Sequence, residues 1–257
     1  MITHLYRYPV KGLSGERLDS LTLKAGLGLE GDREVAIARN PGVFDPSAPK
    51  AAPKQQFLML ARDEALAKLE TSFDAATRVL TVRDQGAQAL TASVATPEGR
   101  AEIDRFFGAY LGKPDVEATV VSAPGHKFTD ISVVSPEKMR AISIVNLASI
   151  RALEEALGRK VDHRRFRANV YLDGVPAWRE LDWLDHDLKL GPVEARCVMR
   201  TKRCPATEVN PKTAERDIRL PFELKKHFEH FDMGVYAEIR TSGELRVGDT
   251  VVAARSD

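Results

Sequence analysis

The chain has 257 residues, enough for one large or two small domains, and its 43% hydrophobic and 29% charged content is typical of a globular protein. The formal net charge of +1 gives no global field that attracts nucleic acid or an anionic membrane, so we expect neither as a partner. No apolar run approaches the roughly 18 residues that span a bilayer. The first residues lack a signal peptide's pattern, and two cysteines make neither a disulfide framework nor a CxxC pair, so we expect the cytoplasm.

The first third of the chain has the pattern of short strands separated by turns. Strands are predicted over residues 2–10, 18–25 and 35–38. Glycines punctuate residues 11–15 and 26–31. Four prolines and little periodicity predict a loop over residues 40–54.

Four stretches carry the apolar spacing of an amphipathic helix. They are residues 61–69, 100–111, 146–158 and 221–231. In the third stretch Asn146 is a suitable N-cap and Gly158 a suitable stop. Strand-like runs recur at residues 78–83, 117–122, 168–172, 187–199, 234–240 and 245–253. Many short strands with sparse helices predict a β-rich α+β fold with a barrel or sandwich core and an internal boundary near residues 90–100.

The segment around Cys204 carries the clearest chemical signal. Four cations precede this thiol: Arg196, Arg200, Lys202 and Arg203. Cations favour the thiolate, which is both a nucleophile and a soft-metal ligand, and they also suit an anionic cofactor. Cysteine is often only a small buried hydrophobe, and that interpretation fits Cys197, in an apolar run, better than Cys204, which precedes a proline-rich loop.

Further polar residues stand at the ends of predicted strands. Lys11 follows the first strand in a glycine turn, and Arg33 enters a strand after a turn. Arg167 and Asn169 alternate along a predicted strand, so we expect both on one side of it. Arginine is the better residue for a bidentate phosphate clamp. A solvated lysine, a surface ion pair of Arg33 and a solvated basic face are the plainer interpretations, and these residues alone leave them open.

Several catalytic signatures are missing from the sequence. It has no strand–GxGxxG–helix unit, Walker A motif, HExxH zinc pair or GxSxG elbow. Two cysteines are too few for an all-thiolate iron–sulfur cluster, which needs about four. Nucleotide binding, zinc hydrolysis and serine hydrolysis therefore have no support.

Separated segments together resemble one family. Residues 8–11 read YPVK, residues 31–33 read GDR, residues 166–170 read FRANV and residues 203–211 read RCPATEVNP. Residues 232–236 (DMGVY) and 245–249 (LRVGD) complete the likeness. The sequence resembles the MOSC proteins that begin with a MOSC N-terminal β-barrel domain, a group that includes the amidoxime-reducing components. The resemblance implies an N-terminal β-barrel-like domain over residues 1–95 and a MOSC-type β-barrel over residues 96–257, with a few peripheral helices.

The resemblance also implies a cofactor and its ligands. A molybdenum–pyranopterin cofactor (Mo-molybdopterin) is expected between the two domains, with the Cys204 thiolate as the protein ligand of molybdenum. The residues that match the cofactor-binding motifs are Lys11, Arg33, Arg167, Asn169, Lys202 and Arg203. At the level of the family, pyridoxal phosphate binding is implied as well. The chain departs from the family pattern in having Gly12 where serine is usual, Asn210 where aspartate is usual and Ala214 where glycine is usual.

The resemblance therefore implies a molybdenum-dependent oxidoreductase that reduces N-hydroxylated or related N-oxygenated small molecules. The sequence contains no flavin, haem or iron–sulfur motif, so electrons are expected from a separate reductase or ferredoxin-like partner. Two alternatives keep the same cysteine: a sulfur carrier that holds a Cys204 persulfide, and a carrier of the molybdenum cofactor. A metal-free binding protein with a redox-sensitive thiol is a third.

Overall fold

The computed structural model describes residues 1–253, which form sixteen strands and three α-helices, a β-rich α+β fold as predicted. The helices are α1 (Pro97–Leu111), α2 (Leu147–Leu157) and α3 (Leu220–Phe228). The strands are β1 (Ile2–Arg7), β2 (Glu16–Leu18), β3 (Ser20–Lys24), β4 (Gly28–Leu29), β5 (Val35–Ala38), β6 (Leu69–Asp74), β7 (Val79–Asp84), β8 (Ala87–Ser93), β9 (Thr119–Ser122), β10 (Ile142–Asn146), β11 (Val170–Leu172), β12 (Asp187–Leu190), β13 (Val193–Lys202), β14 (Asp232–Ile239), β15 (Gly243–Arg246) and β16 (Val251–Ala253). No helix within residues 1–253 has both the length and the apolar character needed to cross a bilayer.

The largest layer is an eight-stranded sheet in the order β16-β12-β13-β14-β10-β11-β1-β2. Strand β1 pairs antiparallel with β11, with Leu5 opposite Val170, and it pairs with β2 on its other side. Strand β13, which leads to Cys204, lies between β12 and β14. The smaller sheets are β15-β3-β4, β5-β9 and β6-β7-β8. The first strand of the chain and the strand before Cys204 therefore belong to one layer.

An apolar cluster joins α1 to strands of the N-terminal half. The Thr96 hydroxyl accepts a hydrogen bond of 3.1 Å from the Gly99 backbone and caps the helix, which buries Ile103 and Phe107. Ala92 of β8 belongs to the same cluster. The segments on either side of the predicted boundary between residues 95 and 96 thus pack against each other, and the boundary itself stays a prediction.

The ends of α2 lie where the sequence predicts them. The side-chain oxygen of Asn146 accepts a hydrogen bond of 3.0 Å from the Ala148 backbone, and Gly158 ends the helix with a left-handed φ of 63°. Ile150 and Leu153 are buried on the apolar side of the helix. Local capping chemistry was sufficient to define this element.

Two predicted strands are each interrupted in the structure. Residues 187–199 were predicted as one strand, but Gly191, with φ of 52°, and Pro192 separate β12 from β13. Residues 245–253 are likewise divided between β15 and β16, with Gly248 at φ of 98°. In both places a left-handed glycine turns the backbone out of the extended region.

The helix predicted over residues 61–69 was wrong. Only a short 3-10 helix forms over Glu64–Lys68, and the chain then enters β6. Leu69 and Phe73 are buried at alternate positions of that strand. The helix prediction depended on the spacing of Leu66 and Leu69, but the alternating burial of a strand begins at Leu69.

Candidate functional site

The segments that resemble cofactor-binding motifs converge on one cavity of about 380 Å³. Its walls come from N-terminal loops, from residues 128–143 and from the end of β13 with the loop that follows. All seven residues expected at the site line it: Lys11, Arg33, Arg167, Asn169, Lys202, Arg203 and Cys204. Their roles stay predictions, but the fold brings the side chains to one place.

The two cysteines have different environments. Cys197 is fully buried in β13, and burial raises the pKa of its thiol to about 11. Cys204 is half-buried and has extended backbone, and it stands between β13 and a 3-10 turn over Pro205–Glu208. The backbone nitrogen and hydroxyl of Thr207 donate hydrogen bonds of 3.0 and 2.9 Å to the Cys204 carbonyl. This turn restrains the loop that presents the accessible thiol.

Arg33 and Arg167, which both line the cavity, meet at the ring of the buried Tyr8. Arg33 forms an ion pair of 2.5 Å with Asp32, and Arg167 donates a hydrogen bond of 2.5 Å to the Leu13 carbonyl. Arg167 has a left-handed φ of 51° before β11 begins. The predicted strand alternation from Arg167 onward was therefore wrong, although Arg167 does line the cavity.

Lys11 and Lys54 share the carboxylate of Asp130. The buried Lys11 ammonium lies 2.6 Å from one oxygen and the Lys54 ammonium lies 3.2 Å from the other, while Lys11 also donates to the Phe128 carbonyl at 3.1 Å. Burial acts to raise the pKa of Asp130, but the two ammonium groups hold it well below its usual range. Asp130 is therefore an anion that fixes two cations at the cavity wall.

Asn169 and Arg203 are held in place by the protein itself. The Asn169 amide accepts from the Ser143 backbone at 3.1 Å and donates to Asp32 at 3.0 Å. The Arg203 guanidinium donates to the Phe166 carbonyl at 2.9 Å and also to the Met233 carbonyl. These bonds connect neighbouring segments of the wall, so both side chains position the site whatever else they contact.

Lys202 lies differently from these buried residues. It is exposed, and its ammonium nitrogen is 5.0 Å from the centroid of the Phe231 ring. At this distance the ring stabilises the cation without neutralising it. Lys202 therefore brings an accessible positive charge to the edge of the cavity.

Unsatisfied polar atoms also face this region. Within residues 1–253, Ser143 Oγ, Thr201 Oγ1 and Arg165 Nε are buried and have no hydrogen-bond partner, and all three residues line the cavity. A buried polar atom without a partner costs about 1–3 kcal/mol. A polar ligand in the cavity would offset that cost, so the donor set fits an oxygen- and nitrogen-rich anionic cofactor.

The three departures from the family pattern have local explanations. Gly12 has φ of 83°, and an added Cβ would lie 2.7 Å from the Leu58 carbonyl oxygen, so serine does not fit there. Asn210 keeps a turn by accepting from the Lys212 backbone at 2.9 Å. Ala214 was expected to disfavour a left-handed backbone, yet it adopts φ of 61°. The loop after Cys204 thus keeps a left-handed backbone at position 214, where alanine is less favourable than glycine.

Sequence reasoning missed several residues of the site. These are Lys54, Ser143, Arg165, Thr201 and Tyr236. Lys54 follows a proline-rich loop without periodicity, so no local pattern indicates where its side chain points. Arg165 belongs to the basic run at residues 163–167, and that run was the one available signal for it.

A conventional protein-only metal site is not found in the described part of the chain. Within residues 1–253, no three side chains of histidine, cysteine, aspartate or glutamate are grouped to hold a metal ion. Among the residues that line the cavity, Cys204 is the soft thiol ligand, and cations surround it.

Comparison with protein families covers nearly the whole chain. Residues 1–118 match the MOSC N-terminal beta barrel domain, and residues 125–252 match the MOSC domain. The first match contains Lys11 and Arg33, and the second contains Arg167, Arg203 and Cys204.

Curated relatives are about 30% identical to this chain over the aligned residues. Mitochondrial amidoxime reducing component 2 of Rattus norvegicus is 32% identical over 173 residues, 58% of this chain and 51% of that protein. The Homo sapiens component 2 is 31% identical over 120 residues, 42% of this chain and 35% of that protein. The chain thus spans about half or less of the length of these relatives.

Two solved structures show weak likeness. The YUAD protein of Bacillus subtilis is 13% identical with a TM-score of 0.42, covering 98% of this chain and 94% of that one. YiiM of Geobacillus stearothermophilus is 17% identical with a TM-score of 0.36, covering 44% of this chain and 54% of that one.

Proposed function

Because this chain belongs to the MOSC proteins that carry a MOSC N-terminal beta barrel domain, we propose that it is a molybdenum cofactor-dependent oxidoreductase that reduces N-oxygenated small molecules. One observation carries the proposal: Cys204 shares a cavity with eight cationic side chains, although these come from distant parts of the sequence. A soft thiolate among cations is the environment that a metal–dithiolene phosphate requires.

Different residues of the cavity would bind different parts of the cofactor. Cys204 would be the protein ligand of molybdenum, while Lys11, Arg33 and Arg167 would bind the pterin phosphate through charge-assisted hydrogen bonds. The cofactor, when bound, supplies the two-electron redox chemistry. Ser143 Oγ and Thr201 Oγ1, which lack partners within residues 1–253, offer further hydrogen bonds to it.

The chain itself contributes order and a fixed electrostatic field. The Thr207 hydrogen bonds restrain the Cys204 carbonyl, and the Arg203 guanidinium connects the same loop to Phe166 and Met233. Because these contacts are made within the protein, they restrain the loop, which lowers the entropic cost of binding.

The reaction needs electrons from outside the chain. Reduction of an N-hydroxyl group breaks the N–O bond, takes up two electrons and two protons, and releases water. The sequence has no flavin, haem or iron–sulfur motif that could store the electrons. A separate reductase or ferredoxin-like protein is the proposed donor.

The alternative of a sulfur carrier also has an observation in its favour. The Cys204 thiol is half-buried on a loop, so it is accessible to a sulfur donor and partly protected from solvent. In that role Cys204 would carry a persulfide and the cationic cavity would serve the anionic acceptor.

One experiment separates these functions. The chain is produced in a host that makes the cofactor, molybdenum per protein is measured by mass spectrometry, and turnover of benzamidoxime is driven by reduced methyl viologen. About one molybdenum per chain with turnover is the expected result. Metal-free protein that carries cyanolysable sulfur and does not reduce benzamidoxime would establish the carrier instead.

A further inference from the structure

We propose that Arg200, together with Lys202, binds an anionic group of the substrate at the mouth of the Cys204 cavity, so that the preferred substrates are N-oxygenated compounds bearing a carboxylate or a similar anion. This inference rests on the proposed oxidoreductase function and names the class of substrate that the same site takes.

The cavity carries far more positive than negative charge. Among its lining residues Asp130 is the one carboxylate within residues 1–253. The cations are Lys11, Arg33, Lys54, Arg165, Arg167, Arg200, Lys202 and Arg203. A cluster of this kind raises the local concentration of anions.

Half of these cations already have a carboxylate partner. Lys11 and Lys54 share Asp130, and Arg33 pairs with Asp32. Arg165 pairs with Asp217 at 2.6 Å. Within residues 1–253, the cations with no carboxylate at ion-pair distance are Arg167, Arg200, Lys202 and Arg203. The unbalanced charge of the cavity therefore resides on four side chains.

The four side chains form an inner and an outer pair. Arg167 and Arg203 are partly or fully buried and donate to backbone carbonyls of the wall. Arg200 and Lys202 are exposed, and both line the cavity at the end of β13. The inner pair suits the phosphate of a bound cofactor together with Lys11 and Arg33, which leaves the outer pair for another anion.

Arg200 is held in a suitable orientation. Its Nε donates a hydrogen bond of 2.8 Å to the Leu181 carbonyl. In the described part of the chain its two terminal nitrogens have no hydrogen-bond partner. A guanidinium fixed at one nitrogen and free at the others is ready to bind a carboxylate. Lys202, two residues nearer to Cys204, adds a second exposed charge to the cavity lining.

Kinetics with two matched substrates test the proposal. Benzamidoxime and its 4-carboxy derivative differ by one anionic group, and reduced methyl viologen supplies electrons to both without a protein donor. For Arg200→Gln we expect KM for the carboxylated substrate to rise about threefold to tenfold, since a partly exposed charged contact is lost, while KM for the neutral substrate changes less than about twofold. Higher salt should raise KM for the carboxylated substrate alone.

Two further variants control for structure. Arg200→Lys keeps the charge and should retain most of the preference for the carboxylated substrate. Arg196→Gln removes a partly exposed arginine of the same strand that pairs with Asp187 and does not line the cavity, so neither KM should change. Equal rises in both KM values for Arg200→Gln and Arg200→Lys would overturn the proposal, because they would assign Arg200 to its contact with Leu181.

Two further outcomes would also support or overturn the proposed anion site. An effect seen only when an acidic ferredoxin-type protein replaces viologen would assign the pair to donor docking and overturn the proposal. If molybdenum-loaded protein reduces neither substrate, the oxidoreductase function fails, and calorimetric titration with the carboxylated amidoxime tests the anion site by itself. Weaker binding by Arg200→Gln than by Arg196→Gln then supports the site, and equal binding overturns it.

Discussion

Arg33 donates a hydrogen bond of 2.9 Å to the backbone oxygen of Arg167, and this bond joins two distant segments at the cavity wall. Their guanidinium carbons lie 4.8 and 4.5 Å from the centroid of the Tyr8 ring. Both arginines have left-handed backbone, with φ of 53° and 51°, which costs a non-glycine residue about 1–2 kcal/mol. The contacts among the three side chains hold this geometry in the place where we propose that an anion binds.

Replacing Arg33 by lysine should weaken cofactor retention about tenfold, because an ammonium group cannot form the bidentate fork. The readout is molybdenum per protein after extensive dialysis. Arg78→Lys is the matched control, since Arg78 is also left-handed, stacks on Phe73 at 5.3 Å and does not line the cavity. Equal metal retention in Arg33→Lys and Arg78→Lys would remove Arg33 from the phosphate site.

Replacing each cysteine by alanine should distinguish a loss of function from a loss of stability. We expect Cys204→Ala to lose molybdenum and turnover with little change in the free energy of unfolding, because Cys204 is half-buried on a loop. Cys197→Ala should keep the metal and lower the free energy of unfolding by about 1–2 kcal/mol, since a fully buried side chain is shortened. Urea unfolding and metal analysis of both variants check this. Full turnover by Cys204→Ala would contradict the ligand assignment.

Stability should fall as the solution becomes acidic, in part through His163. Burial, with a smaller effect of His4, lowers the pKa of His163 to about 4, while an unfolded histidine has a pKa near 6.5. The unfolded chain therefore binds the extra proton first, and stability is lost as pH falls from about 6.5 to 4. His163→Gln should lessen this loss by about 1–2 kcal/mol, a reduced value because the ring is partly exposed. Urea unfolding at several pH values measures it, and an unchanged slope would refute it.

The strained loop after Cys204 offers a test of backbone chemistry. Ala214→Gly should leave stability within about 0.5 kcal/mol of the original or raise it, because relief of the left-handed strain offsets the entropy that glycine adds. Ala152→Gly, in the middle of α2, is the control and should cost about 1 kcal/mol. Thermal unfolding of both variants compares them. A larger loss at position 214 than at position 152 would show that the φ of 61° carries no strain.

Local chemistry made parts of the fold predictable. The caps of α2 at Asn146 and Gly158 are contacts between near neighbours in sequence, so the ends of this helix could be predicted from the sequence. The buried environment of Cys197 followed from its apolar neighbours. Interruptions such as the one at Gly191 were not predicted, because a glycine within an apolar run is compatible with both a bulge and a turn.

The site was predictable only where a resemblance supplied it. Spacing alone gave no reason for Lys11 and Arg33 to meet Cys204, and the plainer interpretations were left open for both. Lys54 and Asp130 each begin a short 3-10 helix, and the approach of these two segments depends on how the sheets pack, which no periodic pattern encodes. The neighbourhood of Cys204 is thus a property of tertiary structure.

The pairing of β1 with β11 in the eight-stranded sheet has a consequence for synthesis on the ribosome. Leu5 pairs with Val170, so β1 has no partner on that side until residue 170 has also left the exit tunnel. Pairing over such a separation is slow, because a long loop must close before the contact is gained. During translation one edge of β1 therefore stays unpaired, even once β2 has paired with the other, and chaperone protection of the nascent chain should matter most before residue 170 emerges.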